Sequence, residues 1–417
     1  MEDLFKKIYN NKGDIGKWAS LAEGYFVFPK LEGPISNRMR FNGKEIIIWS
    51  VNDYLGLANH PEVRKIDSDA SKEYGSAYPM GARMMSGHTS MHEELESKLA
   101  SFVSKESTYL LNFGYQGVLS IIDTLVSKND IIVYDIASHA CIVDGVRLHL
   151  GKRFTYQHNN MKSLEKNLIR ATKIAEQTGG GILVITEGVF GMRGEQGKLK
   201  EIVKLKDKYK FRFLVDDAHG FGTLGKTGAG TGEEQDVQDN IDLYFATFAK
   251  SMASTGAFIA GDIEIIEYLK YNMRSQMFAK SLQMQLVIGV IKRLEILQKN
   301  TKLKDKLWEN VTIIQKGLKD RGFDIGNTQS CVTPVYLEGS IPEAMALVKD
   351  LRENYHIFCS IVVYPVIPKG LILLRLIPTA SHTIEDINLT LEAFGEIRKK
   401  LKKGIYKKIS ASIETSN

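Results

Sequence analysis

Ile241-Asp242-Leu243-Tyr244-Phe245-Ala246-Thr247-Phe248-Ala249-Lys250-Ser251 is an apolar run that stops at a lysine. Upstream, Phe211-Arg212-Phe213-Leu214-Val215-Asp216-Asp217-Ala218-His219-Gly220 is a second apolar run that stops at an Asp-x-x-His cluster. Both are short and rich in aromatic or β-branched residues, the pattern of strands in a buried, parallel sheet. In open α/β sheets, ligands bind beyond the carboxyl ends of the strands. Lys250, Asp216 and His219 stand at such ends.

Working outward, Tyr109 to Asn112, Ile131 to Tyr134, Gly181 to Thr186 and Ala257 to Gly261 have the same character and are bounded by Gly, Asp or Ser. Ser90 to Ser104 and Met161 to Gln177 read as amphipathic helices between them. This alternation predicts an α/β domain with a largely parallel sheet. Residues 1–44 read as an N-terminal arm in which Tyr25-Phe26-Val27-Phe28-Pro29 packs an aromatic anchor ahead of a first core strand, Glu45 to Val51. The large domain is expected over 45–284. After it, 285–417 is expected to open with a long helical stretch, Gln285 to Lys319. Val332 to Leu337, Glu343 to Tyr355, Ile361 to Tyr364 and Leu371 to Ile377 then alternate as a smaller α+β domain.

The 417 residues are enough for two or three domains, and 43% hydrophobic with 25% charged residues is ordinary for a globular protein. A net charge of +6 does not by itself indicate nucleic acid and suits acidic ligands. The three cysteines, Cys141, Cys331 and Cys359, form no CxxC pair, which argues against a zinc site or disulfide framework and for a reducing compartment. No stretch is long and apolar enough to span a bilayer, and Met1-Glu2-Asp3-Leu4-Phe5-Lys6-Lys7 lacks a signal-peptide apolar region, so a cytoplasmic location is expected. The basic tail from Arg398 to Lys408 reads as a solvated helix end, with contact to a membrane surface or acidic partner as the alternative.

More positions join Lys250 and Asp216. Asn112-Phe113-Gly114-Tyr115-Gln116-Gly117 follows a strand and opens a helix, where free N–H groups can bind a phosphate and glycine permits close approach. The competing reading is an ordinary strand–helix turn. His139 follows another strand, where a flat imidazole can stack on a ring. Arg375 interrupts the apolar Leu371 to Ile377 run and needs an anionic partner, either a substrate carboxylate or a structural acid. Asp216 and His219 could instead be half of a metal site, but no other Asp/His cluster supplies the remaining ligands. A lysine for a Schiff base, an aspartate for a pyridine nitrogen and a phosphate-binding turn are the parts that hold pyridoxal phosphate (PLP).

Taken in order, the motifs resemble the α-oxoamine synthases of the fold-type-I PLP enzymes, over about Trp49 to His382. The resemblance is carried by Asn52-Asp53-Tyr54-Leu55-Gly56-Leu57, Gly114-Tyr115, His139-Ala140 with Asp144-Gly145, Glu187-Gly188-Val189-Phe190, Asp216-Asp217-Ala218-His219-Gly220, Thr247-Phe248-Ala249-Lys250-Ser251, and Arg375 with Ala380-Ser381-His382-Thr383. His158-Asn159-Asn160 and Met273-Arg274-Ser275-Gln276-Met277-Phe278 are most similar to the bacterial serine palmitoyltransferase branch. The resemblance implies a large domain with a mostly parallel seven-stranded sheet, a smaller C-terminal domain, and a homodimer with active sites at its interface. It implies that Lys250 carries the cofactor and removes an α-proton, Asp216 pairs with the ring nitrogen, His219 approaches the ring hydroxyl and His139 stacks on the ring. Gly114, Tyr115, Glu187, Thr247 and Ser281 join the cofactor site; Asn52, Tyr78, Arg83 and Arg375 join the substrate site.

The implied reaction condenses serine, or a serine-like amino acid, with a long-chain acyl thioester on coenzyme A or a carrier protein, with loss of carbon dioxide. Several positions depart from the family pattern. Ala249 replaces a usual serine, Gly191 replaces another, and Arg193 replaces an acid. Gly75-Ser76-Ala77-Tyr78-Pro79-Met80-Gly81-Ala82-Arg83 is about one residue longer than its usual counterpart, and Lys280 replaces a small residue. The last two add bulk and positive charge near the expected substrate site, so cysteate, leading to a sulfonolipid precursor, is an alternative to serine. A glycine- or alanine-using relative and a catalytically silent partner subunit are further alternatives. Retention of Lys250, Asp216 and His139 argues against the silent partner.

Overall fold

The computed structural model describes residues 3–9, 11, 13–16, 24–299 and 301–414. The remaining parts of the expected arm and the last three residues of the tail lie outside them. The chain forms two compact units, Asn52–Lys306 and a second made of Met1–Val51 with Leu307–Asn417. These limits differ from the expected 44/45 and 284/285, for two packing reasons. The strand Lys44–Ile48 does not enter the large sheet. It pairs with Arg38–Phe41 and, in parallel, with Ile357–Phe358, so the arm and first strand belong to the unit holding the C-terminal half. The helix Met284–Lys299 packs on Pro61–Tyr74 and Ser90–Phe102 and stays with the large unit. The expected single long helix is two, Met284–Lys299 and Lys302–Asp320, and the unit boundary falls within the second.

The large unit is built on a seven-stranded sheet. Its spatial order is Ser107–Leu111, Ala257–Gly261, Leu243–Thr247, Arg212–Asp216, Ile182–Glu187, Ile131–Asp135 and Lys152–Tyr156. Only Ala257–Gly261 runs antiparallel to its neighbours. Six of the seven were legible because they are nearly continuous apolar runs buried on both faces. Lys152–Tyr156, an edge strand with two exposed charged residues, was not. The parallel strands end together at Asp135, Glu187, Asp216 and Thr247, and the register sets Glu187 directly beside Asp216.

The second unit pairs Thr333–Glu338, Leu371–Leu376 and Ser360–Val362 in an antiparallel sheet. Helices Ile341–Asn354 and Ile384–Lys402 each begin with a capping box, from Ser340 with Glu343 and from Thr383 with Asp386. Asp386 also binds Arg38 and Asn37, at 2.7 Å each, which fastens the arm. The aromatic anchor is Tyr25, whose ring meets Phe41 at 5.3 Å, while Phe28 is exposed. Among the described residues no helix is long and apolar enough to cross a membrane.

Candidate active site

The candidate chemistry sits where the parallel strands end. Strand Leu243–Thr247 delivers Thr247 and, after a short turn, Lys250; Arg212–Asp216 delivers Asp216; Ile182–Glu187 delivers Glu187. His139 N-caps the helix Ala140–Leu148 immediately after Ile131–Asp135. Its backbone N–H donates to Glu187 Oε1 at 2.5 Å, and its Nδ1 lies 3.0 Å from Cys141 Sγ. Cys141 Sγ in turn donates weakly to Asp216 Oδ2 at 3.8 Å. His139, Glu187 and Asp216, far apart in sequence, thereby meet in one corner, with the two carboxylates buried beneath an exposed histidine. Cys141, the connecting group, carried no signal in the sequence beyond adjacency to His139.

The electrostatics follow from burial. Desolvation pushes the Asp216 carboxyl above its ordinary range, opposed first by the Lys250 charge and then by the Ala218 N–H, which donates to Oδ1 at 3.1 Å. The Glu187 carboxyl is pushed well up by burial and further by Asp216. Burial lowers the His139 pKa; Asp216 works against that and Lys250 with it, favouring a neutral ring. Lys250 is half-buried and its charge acts on Asp216, Glu187 and His139 alike. A cationic ring nitrogen is the kind of partner that relieves a buried carboxylate of this sort.

Opposite this corner, the helix Gly114–Leu125 begins with N–H groups that precede the first intrahelical bond, Gly117 N to Phe113 O at 2.9 Å. A Cβ on Gly114 would lie 3.1 Å from Thr247 Oγ1, so glycine lets the helix start press against the Thr247 strand end. Thr247 Oγ1 donates to Gly256 O at 3.0 Å and accepts from Ala249 N at 3.2 Å. Tyr115 is half-exposed; its hydroxyl donates to Asp144, and its ring meets His139 edge-on with centroids 6.1 Å apart. Free helix N–H groups, a threonine hydroxyl, a lysine, a buried aspartate and a stacking imidazole fit PLP in donor type and arrangement.

His219 is buried, and its Nδ1 lies 2.6 Å from the hydroxyl of fully buried Tyr54. Tyr54 lay inside a quoted motif but was assigned no role. His219 also explains Gly191, because a Cβ there would fall 2.2 Å from His219 Nε2. The backbone approaches the imidazole too closely for the serine that the family pattern favours. Asp217 is structural. Its carboxylate accepts from Thr231 N at 2.7 Å, Thr231 Oγ1 at 2.6 Å and Tyr244 Oη at 2.9 Å, tying down the 217–231 loop.

The expected substrate residues belong to both units. Asn52 begins the large unit, and Tyr78 is partly exposed with its ring 5.4 Å from that of Tyr74. Arg83 has partners of its own. Its buried guanidinium grips Glu96 in a two-pronged pair at 2.9 and 3.0 Å, and its Nε faces His88 Nδ1 at 2.9 Å. Its donors are directed into the protein, so it fastens the 75–89 loop to the helix Ser90–Phe102. Ser281, buried, donates from Oγ to Gly81 O at 3.0 Å, on that same loop. Lys280 O accepts from Asn112 Nδ2 at 2.6 Å, which ties the lysine's backbone to the residue before the Phe113-Gly114 turn. Arg375 lies on Leu371–Leu376 in the second unit, registered against Pro334 and Ser360. His382, in the same motif region, stacks on Trp49 at 3.9 Å and bonds Ile48 O at 3.0 Å, a packing role.

Residues 44–394 match the family described as aminotransferase class I and II. The chain is 70% identical over 413 residues, 99% of its length and 98% of the relative's, to a protein of Capnocytophaga ochracea named cysteate-C-fatty acyltransferase. It is 35% identical to the serine palmitoyltransferase of Sphingobacterium spiritivorum over 88% of this chain and 90% of that one. Among solved structures, a lysine-to-alanine variant of serine palmitoyltransferase from S. paucimobilis, bound to a PLP–myriocin adduct, superposes with a TM-score of 0.88. That alignment has 28% identity and covers 96% of this chain and 100% of that one.

Proposed function

This chain belongs to the class I and II aminotransferase family, and on that footing we propose that it is a PLP-dependent acyltransferase of the α-oxoamine synthase type. Its reaction condenses cysteate with a long-chain fatty acyl thioester, with loss of carbon dioxide, to give a sulfonolipid precursor. The observation that carries the chemistry is the convergence of Lys250, Asp216 and His139 beyond the carboxyl ends of parallel strands of one sheet, where Lys250 and Asp216 both act on the His139 charge. The amino acid is moved from serine to cysteate by the 70% identity over nearly the whole chain. Lys280 supports that order, because a sulfonate adds an anion that serine lacks. Serine is the second reading, favoured by the serine palmitoyltransferase relative.

Bound in the pocket, PLP supplies the electron sink that stabilises a carbanion at the amino acid's α-carbon. The protein's residues do the rest. Lys250 Nζ anchors the cofactor and then takes the α-proton. Asp216 holds a proton on the ring nitrogen, and burial with the fixed Ala218 N–H keeps its carboxylate in one orientation. His139, neutral, would stack on the ring, with its backbone fixed by Glu187. His219, held by Tyr54, would approach the ring hydroxyl. The N–H groups from Gly114 and Tyr115, with Thr247, would receive the phosphate, and Ser281 would reach the phosphate held by the partner subunit. Asn52 and Tyr78 are assigned to the substrate side, and Arg375 to its carboxylate, from their motifs. The same reading carries a homodimer and a cytoplasmic enzyme, with the basic tail touching the inner membrane face.

The test uses purified holoenzyme. It is expected to be yellow, and borohydride should fix the cofactor on the peptide containing Lys250. Spectral titrations should respond to cysteate at lower concentration than to serine, alanine or glycine. Turnover is then followed with acyl-coenzyme A and acyl-carrier-protein donors. Label on another lysine, or a response to glycine alone, would overturn the proposal. Lys280→Ala should weaken cysteate far more than serine. Replacing the exposed Lys402, Lys403, Lys407 and Lys408 by glutamine should reduce binding to anionic vesicles without changing turnover of a soluble short-chain donor.

A further inference from the structure

His158 follows the edge strand Lys152–Tyr156 and is largely buried. Its Nδ1 lies 3.0 Å from Asp135 Oδ1 and its Nε2 lies 2.7 Å from Glu195 Oε2. A neutral imidazole has one N–H; facing carboxylates on both nitrogens, the ring satisfies both only as a doubly protonated imidazolium. The ring also stands edge-on to Phe190, with centroids 4.4 Å apart.

What these carboxylates hold gives the contact its meaning. Asp135 ends the strand before His139, and its Oδ1 also accepts the N–H of Ala137 at 2.8 Å, which shapes the loop delivering His139. Glu195 belongs to the turn that begins at Phe190, whose N–H donates to Glu195 O at 2.9 Å. Gly191 in that turn is the residue pressed against His219. The next residue repeats the connection. Asn159, held left-handed at φ 50°, takes its N–H to Asp135 Oδ2 at 2.9 Å and its Nδ2 to Gln196 O at 2.9 Å. His158 and Asn159 thus join the loop behind one pocket histidine to the turn behind the other.

We propose that His158, clasped between Asp135 and Glu195, is a positioning residue that sets His139 and the His219-facing turn at a fixed separation. It touches neither. It deepens the PLP reading and rests on it only where activity is read. The two carboxylates raise the His158 pKa against the opposing effect of burial. The other titratable groups acting on this cluster are Tyr156 and Glu187, both through Asp135. Loss of the second proton at alkaline pH removes one of the two bonds, and the clasp opens.

The experiment is ¹⁵N-histidine NMR across pH on the full chain, with and without PLP, for the unaltered protein, Glu195→Gln, His158→Gln and a surface control, Glu165→Gln. One histidine should carry protons on both ring nitrogens at neutral pH, with a midpoint above that of free histidine, and be absent from His158→Gln. Glu195→Gln, which keeps the shape and sits partly exposed, should lower that midpoint and displace the His139 resonance. The control should do neither. In holoenzyme, Glu195→Gln should reduce kcat about tenfold with little change in KM and shift the alkaline limb of the kcat profile to lower pH. A singly protonated His158, or a His139 resonance and kcat profile unmoved in a folded Glu195→Gln protein, would overturn the proposal. If the unaltered protein takes up no PLP, the cofactor reading fails, and the NMR arm still decides the clasp.

Discussion

At the residue scale, the pocket depends on a few atoms whose surroundings fix their chemistry. Lys250 is the only one of these groups that can both bond the cofactor and move a proton. Lys250→Ala is therefore expected to lower turnover by about a thousandfold or more, the range for loss of a positioned base; stopped-flow condensation assays check this. Gly191→Ser is expected to act through His219, because the new Cβ must enter space now held by the ring at 2.2 Å. Displacing His219 from Tyr54 should weaken PLP binding about tenfold, roughly 1.4 kcal/mol, by fluorescence titration. Arg375→Ala should raise the amino-acid dissociation constant about tenfold or more while leaving PLP affinity intact, as expected for a charge-assisted bond. An unchanged amino-acid titration would make it structural.

At the scale of elements, strand ends and loop anchors decide the site. The strand runs were readable because burial on both faces demands continuous apolar sequence. The edge strand and the break between Met284–Lys299 and Lys302–Asp320 were not, since both depend on what packs nearby. Arg83 shows the same division. The resemblance put it with the substrate; the structure shows its buried pair with Glu96, which also accepts Leu110 N at 2.9 Å. Removing one partner of such a pair leaves an uncompensated buried charge. Arg83→Met should cost about 3 kcal/mol in urea unfolding, and adding Glu96→Gln should recover much of it.

At the scale of the whole molecule, buried titratable groups set how stability varies with pH. His382, buried against Trp49, has its pKa lowered to about 4. Its contribution is fully present above the unfolded value of about 6.5 and is lost as pH falls toward 4, at roughly 1.4 kcal/mol per pH unit. Asp217 has its pKa raised to about 7 by burial. Its contribution is fully present near pH 4 and is lost as pH rises to about 7, with a similar slope of opposite sign. The two offset one another across the acidic range. His382→Gln should remove the acid-side loss, so that stability falls more steeply as pH rises from about 4 to 6.5; denaturant unfolding at several pH values reads the slope.

The sequence by itself determined the alternating architecture, because buried strands need continuous apolar runs; its contiguous motifs carried the resemblance to the family and put Lys250 and Asp216 at strand ends. Only the tertiary structure decided which charges are spent internally. It placed Glu187 beside Asp216 by cross-strand register, turned Arg83 inward to Glu96, and explained Gly191 by the nearness of His219. It also gathered Asp135, His158 and Glu195 from three segments. Such contacts are set by register and loop closure between distant segments, and no local pattern encodes them.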